Sequence, residues 1–192
     1  MSNSRLIFTE GNLREMNLSN MNFVDARLEK AHLEGTNLIG KNLTRAYLEG
    51  AHLEGAHLEG ATLTDAYLLN ADLTGADLTR ANLTRANLYN ATLTRATLIG
   101  TDLTGATLTG ATLIGATLTG VTLTGATLTG AVLRGVDLRG VNLDGVNLAV
   151  ADLRGVNLDG VTLSNIQRQQ IMSRLHRPKR KMRQSKTYLY IL

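Results

Sequence analysis

Three pentads of the chain read Ala-His-Leu-Glu-Gly: Ala31–Gly35, Ala51–Gly55 and Ala56–Gly60. Each sets an imidazole two residues before a carboxylate, a donor pair that could serve a divalent metal ion. Other side chains able to do chemistry are sparse. There is no Cys, so thiolate and disulfide chemistry are excluded. The Ser are few and sit mostly near the ends, and no glycine loop precedes a helix. A catalytic centre needs a concave pocket with a positioned acid, base or nucleophile. Nothing here supplies one, so no enzymatic activity and no cofactor are expected.

Charge divides the chain unevenly. Residues 1–163 carry 12 Lys+Arg against 16 Asp+Glu, whereas residues 164–192 carry 8 basic residues and no acidic one. A mildly acidic body thus ends in a basic segment, with Lys179, Arg180, Lys181 and Arg183 as its densest run. That run is a candidate contact for phosphate groups of nucleic acid or acidic lipid, weak and non-specific at this charge. Met1 to Glu10 lacks the basic start and apolar run of a secretory leader. No stretch approaches the eighteen apolar residues of a membrane span. A cytoplasmic location is the expectation.

The element that must position these side chains runs from Phe8 to Leu163. Every fifth residue there is Leu or Phe: 32 positions, of which 30 are Leu. Two residues before each lies a mostly small residue, 19 Ala and 6 Val among the 32. A period of five fits neither regular element. On an α-helix the leucines would advance by about 140° net and scatter around the surface. On a flat strand they would alternate faces. The remaining solution repeats one short extended piece and one turn, keeping Leu and the small residue inside, and stacks the coils into a solenoid.

The units Ala71-Asp72-Leu73-Thr74-Gly75, Ala76-Asp77-Leu78 and Ala81-Asn82-Leu83 carry the pattern of the pentapeptide-repeat family, which the chain resembles over residues 6–165. The resemblance implies an all-β architecture. It would be a right-handed quadrilateral β-helix of four pentads per coil and about eight coils; the residues after Leu163 themselves read as a short C-terminal α-helix. At a coil spacing of about 4.8 Å the rod would be roughly 35–40 Å long. The implied organisation is a solenoid at 1–165, a capping helix at 166–177 and a basic tail at 178–192.

With coils of twenty residues, stacked neighbours can be read directly. Asp25, Arg45, Asp65 and Arg85 fall in one column with alternating sign, an expected ion ladder worth about 0–1 kcal/mol per pair. Tyr47 and Tyr67 stack, with Leu69 and Tyr89 beside them. These four form the candidate protein-contact patch. His32 and His52 stack, and His57 lies on the next face. With no cage closing on an open flat face, the expectation is a favoured surface pentad and no metal. Threonine pairs such as Thr107/Thr109 and Thr127/Thr129 resemble ice-binding faces of insect antifreeze proteins. They are spread over several faces, however, and read better as β-branched residues chosen for strand fit.

Several departures from the repeat carry expectations. Lys41 occupies a small-residue slot and cannot stay charged inside unpaired. Its stem should follow the wall, its amine should leave near a corner, and its coil should be distorted. Val increasingly replaces Ala from Val121 onward, so the last coils should pack tighter or bulge. Eighteen of the 19 Gly sit two residues after Leu, which suits positive φ. Since Arg80, Arg85, Arg95, Asn70, Asn90 and Asp65 share that position, positive φ is not expected at every corner. Ser164 or Asn165 should cap a helix whose apolar side is Ile166, Ile171, Met172 and Leu175, with Pro178 ending it.

The expected function is a non-enzymatic interaction scaffold, presenting a rigid rod to a protein partner or to a second copy through the C-terminal segment. The alternative is a mimic of DNA that binds a type II topoisomerase, the quinolone-protecting type within the family. The weak negative charge of the body and the uncharged band from Leu103 to Leu133 disfavour it.

Overall fold

The computed structural model describes residues 5–172. Its backbone climbs as a four-sided coil. Ile7 pairs in parallel with Arg27, Arg27 with Tyr47, Tyr47 with Tyr67, and so on up to Asp137 with Asn157. Every bridge joins residues twenty apart, so four pentads close one turn. Within a pentad the Leu amide donates up the rod and the residue before it donates down. Leu48 N–H reaches the Tyr67 carbonyl at 2.7 Å, and Tyr47 N–H reaches the Ala26 carbonyl at 2.9 Å. The interior is dry and filled. From Ala46 to Leu113 every inward Leu and Ala is at most 1% exposed. The two inward threonines hide their hydroxyls on backbone carbonyls: Thr36 donates to Leu33 and Thr101 to Leu78, each at 2.7 Å.

The corners correct one expectation. All corner residues from Glu10 to Gly160 have φ between 51° and 73°, with Glu15 and Asn20 the exceptions among the described residues. Arg80, Arg85, Arg95, Asn70, Asn90 and Asp65 all adopt it. The amide after each corner donates back to the Leu carbonyl, as Ala71 does to Leu68 at 3.0 Å. The turn's hydrogen bond alone does not set φ, since Met16 and Met21 make that bond after Glu15 and Asn20; those two corners lack the coil-to-coil bond that a corner amide such as Asn70 makes to Tyr89. A four-residue turn with positive φ at its third residue is of type II. The geometry is set by the coil, and the corner side chain tolerates it because it points into open space. Val150, with φ 51°, is the least suited residue to hold it.

The asparagines and aspartates before Leu have a local task. Their Oδ1 accepts the amide of the residue after Leu, which the coil-to-coil ladder leaves over. Thr74 N–H to Asp72 and Thr79 N–H to Asp77 are both 2.9 Å. Side chain and turn thus satisfy the backbone in one move.

Both ends depart from the regular rod. The bridges expected at Asn17–Asn37 and Asn22–Asn42 are missing, as are the amide bonds from Leu18 to Asn37 and from Phe23 to Asn42. Lys41 lies at this tear, and its ammonium donates to the Ser19 carbonyl beside the Asn20 corner. The tear opens a cleft of about 570 Å³ lined by Arg14, Met16, Asn17, Ile39 and Lys41, among others. Farther up, the Thr117–Asp137 bridge is absent where Val136 stands over Ala116, and the Leu123 amide bond to Asn142 is absent where Val141 stands over Val121. The valine-bearing coils therefore bulge on two faces.

Helix α1, Asn165–Met172, closes the far end and begins one residue before the expected 166. Ser164 and Gln167 form its capping box. Gln167 N–H donates to Ser164 Oγ at 3.2 Å and Ser164 N–H to Gln167 Oε1 at 2.9 Å. The buried side shares Ile171 with the expected apolar one and replaces its other described members by Gln167. Gln167 and Ile171 are buried, whereas Ile166 is 68% and Met172 44% exposed. The end of a solenoid presents unpaired carbonyls, and a polar donor meets that need. Gln167 Nε2 donates to the carbonyls of Leu143 at 2.5 Å and Val146 at 3.0 Å. Leu175, Pro178 and the remainder of the proposed 166–177 helix and 178–192 tail lie outside the described residues.

Candidate functional site

The coil register distributes the sequence over four outer faces. One face carries Tyr47 and Tyr67, whose rings stack at 4.9 Å with planes 16° apart. The Arg5 guanidinium sits 4.4 Å above the Tyr47 ring, a cation–π contact the repeat pattern could not foresee. Leu69 and Tyr89 stack in the second column of the same face. There the Asn70 amide bonds the Tyr89 carbonyl at 2.9 Å and the Gly50 amide the Leu69 carbonyl at 2.8 Å. Tyr67 and Tyr89 are 40% and 43% exposed. The four candidate contact residues thus share one face. Lys179, Arg180, Lys181 and Arg183 lie outside the described residues.

The adjacent face carries the histidines. His32 and His52 bridge directly, and their rings stack at 4.8 Å with planes 8° apart. Glu34 lies 3.1 Å from His32 Nδ1, and Glu54 lies 3.5 Å from His52 Nδ1. Arg14, one coil below, bonds Glu34 Oε1 and approaches His32 Nδ1 at 3.3 Å. Burial pushes the Glu34 carboxyl upward. The hydrogen bonds from Arg14, from its own backbone amide and from His32 outweigh that and hold it at about 2. His57 stands on a third face, where its column continues to Asn37 below and Asp77 above, and the carboxylate it pairs with is Glu59, at 3.7 Å.

The corner column resolves into pairs. Arg45 clasps Asp25 with two bonds of 2.8 and 2.7 Å, and Arg85 clasps Asp65 with two of 2.8 Å. Arg45 and Asp65 share no ion pair. A guanidinium fork fits one carboxylate at a time, so the expected continuous ladder breaks into two. At the other end Asp152 is held well below the ordinary carboxylate range, first by Arg154 and then by Arg134 against the opposing effect of burial. Thr107 and Thr127 bridge as expected. Elsewhere threonine hydroxyls turn onto their neighbours, as Thr74 and Thr104 do onto Asp72 and Asp102 at 2.6 Å.

A family model described as pentapeptide repeats matches the chain in eight copies, over residues 8–40, 42–80, 71–110 and 131–166. The chain belongs to the pentapeptide-repeat family. Among solved structures, this pentapeptide-repeat protein is similar to HetL of the cyanobacterium Nostoc sp. strain PCC 7120, a protein involved in heterocyst differentiation regulation. The identity is 29%, with 84% of this chain and 90% of HetL covered and a TM-score of 0.50. A pentapeptide-repeat protein of the Arabidopsis thaliana thylakoid lumen is 35% identical, covering 56% of this chain and 71% of its own, with a TM-score of 0.33. QnrB1, a plasmid-mediated fluoroquinolone resistance protein, is 22% identical over 89% of this chain and 96% of its own, with a TM-score of 0.47. No curated protein sequence matches the chain. Among the described residues no helix is long and apolar enough to cross a membrane.

Proposed function

We propose that this pentapeptide-repeat protein is a non-enzymatic interaction scaffold whose tyrosine face, Tyr47, Tyr67, Leu69 and Tyr89, binds a protein partner. The observation that carries the reading is the contrast between inside and outside. From Ala46 to Leu113 the core is filled by Leu and Ala at essentially zero exposure, leaving those coils no interior pocket to enclose a substrate. One outer face meanwhile holds stacked tyrosines, the side chains that anchor interfaces. Regulation, the role stated for HetL, is work that a binding surface can do. Mimicry of DNA is the weaker reading. Corner arginines Arg80, Arg85 and Arg95 stud the middle coils, and Leu103 to Leu133 carries no charge, so the rod does not reproduce the even negative field of a duplex.

The test couples two assays. A partner captured by the wild-type protein is lost with Tyr47→Ala/Tyr67→Ala, while a topoisomerase supercoiling assay stays flat at micromolar protein. Inhibition or drug protection of the topoisomerase, with capture unaffected by the tyrosine variant, would replace the scaffold reading by mimicry.

A further inference from the structure

We infer that the paired pentads His32–Glu34 and His52–Glu54 form a site for a divalent transition-metal ion of the zinc class, with His52, Glu34 and Glu54 as ligands and His32 flanking. Taken singly, Ala-His-Leu-Glu-Gly is a surface unit with one imidazole and one carboxylate. The twenty-residue coil changes this by setting one copy directly on another. The His32–His52 bridge fixes the register. The Gly35 amide, bonded to the Glu54 carbonyl at 2.9 Å, carries it through to the glutamates. One ligand atom each from Glu34, His52 and Glu54 then lie within 4.8 Å of one another.

Tetrahedral ligands at zinc bond lengths stand about 3.4 Å apart. Side-chain rotations of about an ångström therefore close the set, with no backbone movement. A rigid sheet beneath fixes the Cβ atoms, which limits the ordering cost of binding. The donors are mixed nitrogen and oxygen, which suits zinc, nickel or cobalt. Calcium and magnesium require six or more oxygens.

The charge balance points the same way. Glu34 Oε2 and Glu54 Oε2 are shielded from solvent and accept no hydrogen bond, a costly arrangement for a carboxylate. Glu49 and Glu59 share that feature but lack a second His–Glu pentad stacked on them. Arg14 currently supplies positive charge to Glu34 Oε1, so it competes with a metal for that oxygen. Two internal comparisons follow. His57 with Glu59 is the same pentad unstacked, and Arg14 is a resident cation whose removal should favour the metal.

Titration of zinc into the full chain by calorimetry tests this. The expected result is one ion per chain. Affinity should fall about tenfold or more in His52→Ala, stay unchanged in His57→Ala, and rise in Arg14→Ala. All three side chains are exposed enough that circular dichroism should report an unaltered fold. No binding by the wild type would overturn the inference. So would equal losses in His52→Ala and His57→Ala, the mark of scattered surface imidazoles, or a loss of affinity in Arg14→Ala.

Discussion

The coils from Ala46 to Leu113 and the first two coils are built from the same pentad, yet one region is sealed and the other is torn. In the middle, each inward slot holds Ala or Thr101, each ladder amide finds its carbonyl, and nothing opens. At the start, Met16, Met21 and Lys41 stand at the small-residue positions, Met16 is left exposed, two successive bridges are missing, and a cleft replaces the wall. A solenoid of this width has no spare volume, so the residue two before Leu decides whether neighbouring coils touch. The Leu row is intact in both regions. It specifies the coil, and the small-residue row specifies whether coils seal.

The largest effect should come from cutting the Leu row where it is sealed. Leu78→Ala, at a position with no exposure, is expected to cost about 2–5 kcal/mol. Leu18→Ala, beside the cleft, should fall at or below the low end of that range because its surroundings are already open. Urea unfolding of the two variants compares them, and equal losses would remove the distinction between the regions. Next is the far end. Gln167→Ala leaves the Val146 carbonyl without its donor and takes a second donor from the Leu143 carbonyl, which keeps the Val146 amide; it should cost about 1–3 kcal/mol, seen in the same unfolding series.

Lys41→Ala is the direct attempt to erase the comparison. With a methyl in the slot the coils can meet, so stability should rise by about 1 kcal/mol, the net worth of a restored hydrogen bond or so. Amide exchange at Asn37 and Asn42 should slow. Unchanged exchange at those amides would mean that Lys41 does not hold the seam open. Smallest is a pH effect confined to the first coils. The Glu34 carboxyl is held at about 2, below its ordinary 4.5, so its contribution is complete above 4.5 and is lost as pH falls toward 2. Arg14→Ala should flatten that acid limb of the stability profile, and an identical limb in the variant would assign it elsewhere.

The fold was legible because a period of five excludes helix and flat strand alike, and the stacking of Tyr47 on Tyr67 and His32 on His52 followed once coils of twenty were assumed. The corner conformation at Arg80 and its counterparts was not legible because residue type says less about φ there than the stacking of one coil on the next, as the corner amides of Arg80 and Asn70 show in bonding the carbonyls above them. The cap was legible as a helix that buries Ile171, but its other buried residue was not, because an amphipathic count favours Ile166 whereas the rod's end needs a donor such as Gln167. Arg14 on Glu34 and Arg5 on Tyr47 were invisible, since long side chains choose partners across coils by reach and rotamer. Lys41 was the departure whose consequence could be reasoned from burial cost alone.

The central claim is that twenty residues make one closed turn of a straight, filled rod. The chain has no Cys, so a spin-label pair at Asn12→Cys and Thr112→Cys is uniquely placed in one unbroken column of bridges, five coils apart. Pulsed dipolar spectroscopy should give a single narrow distance near 24 Å, five spacings of about 4.8 Å, widened only by the label tethers. A broad distribution, or a mean far from that value, would contradict the account.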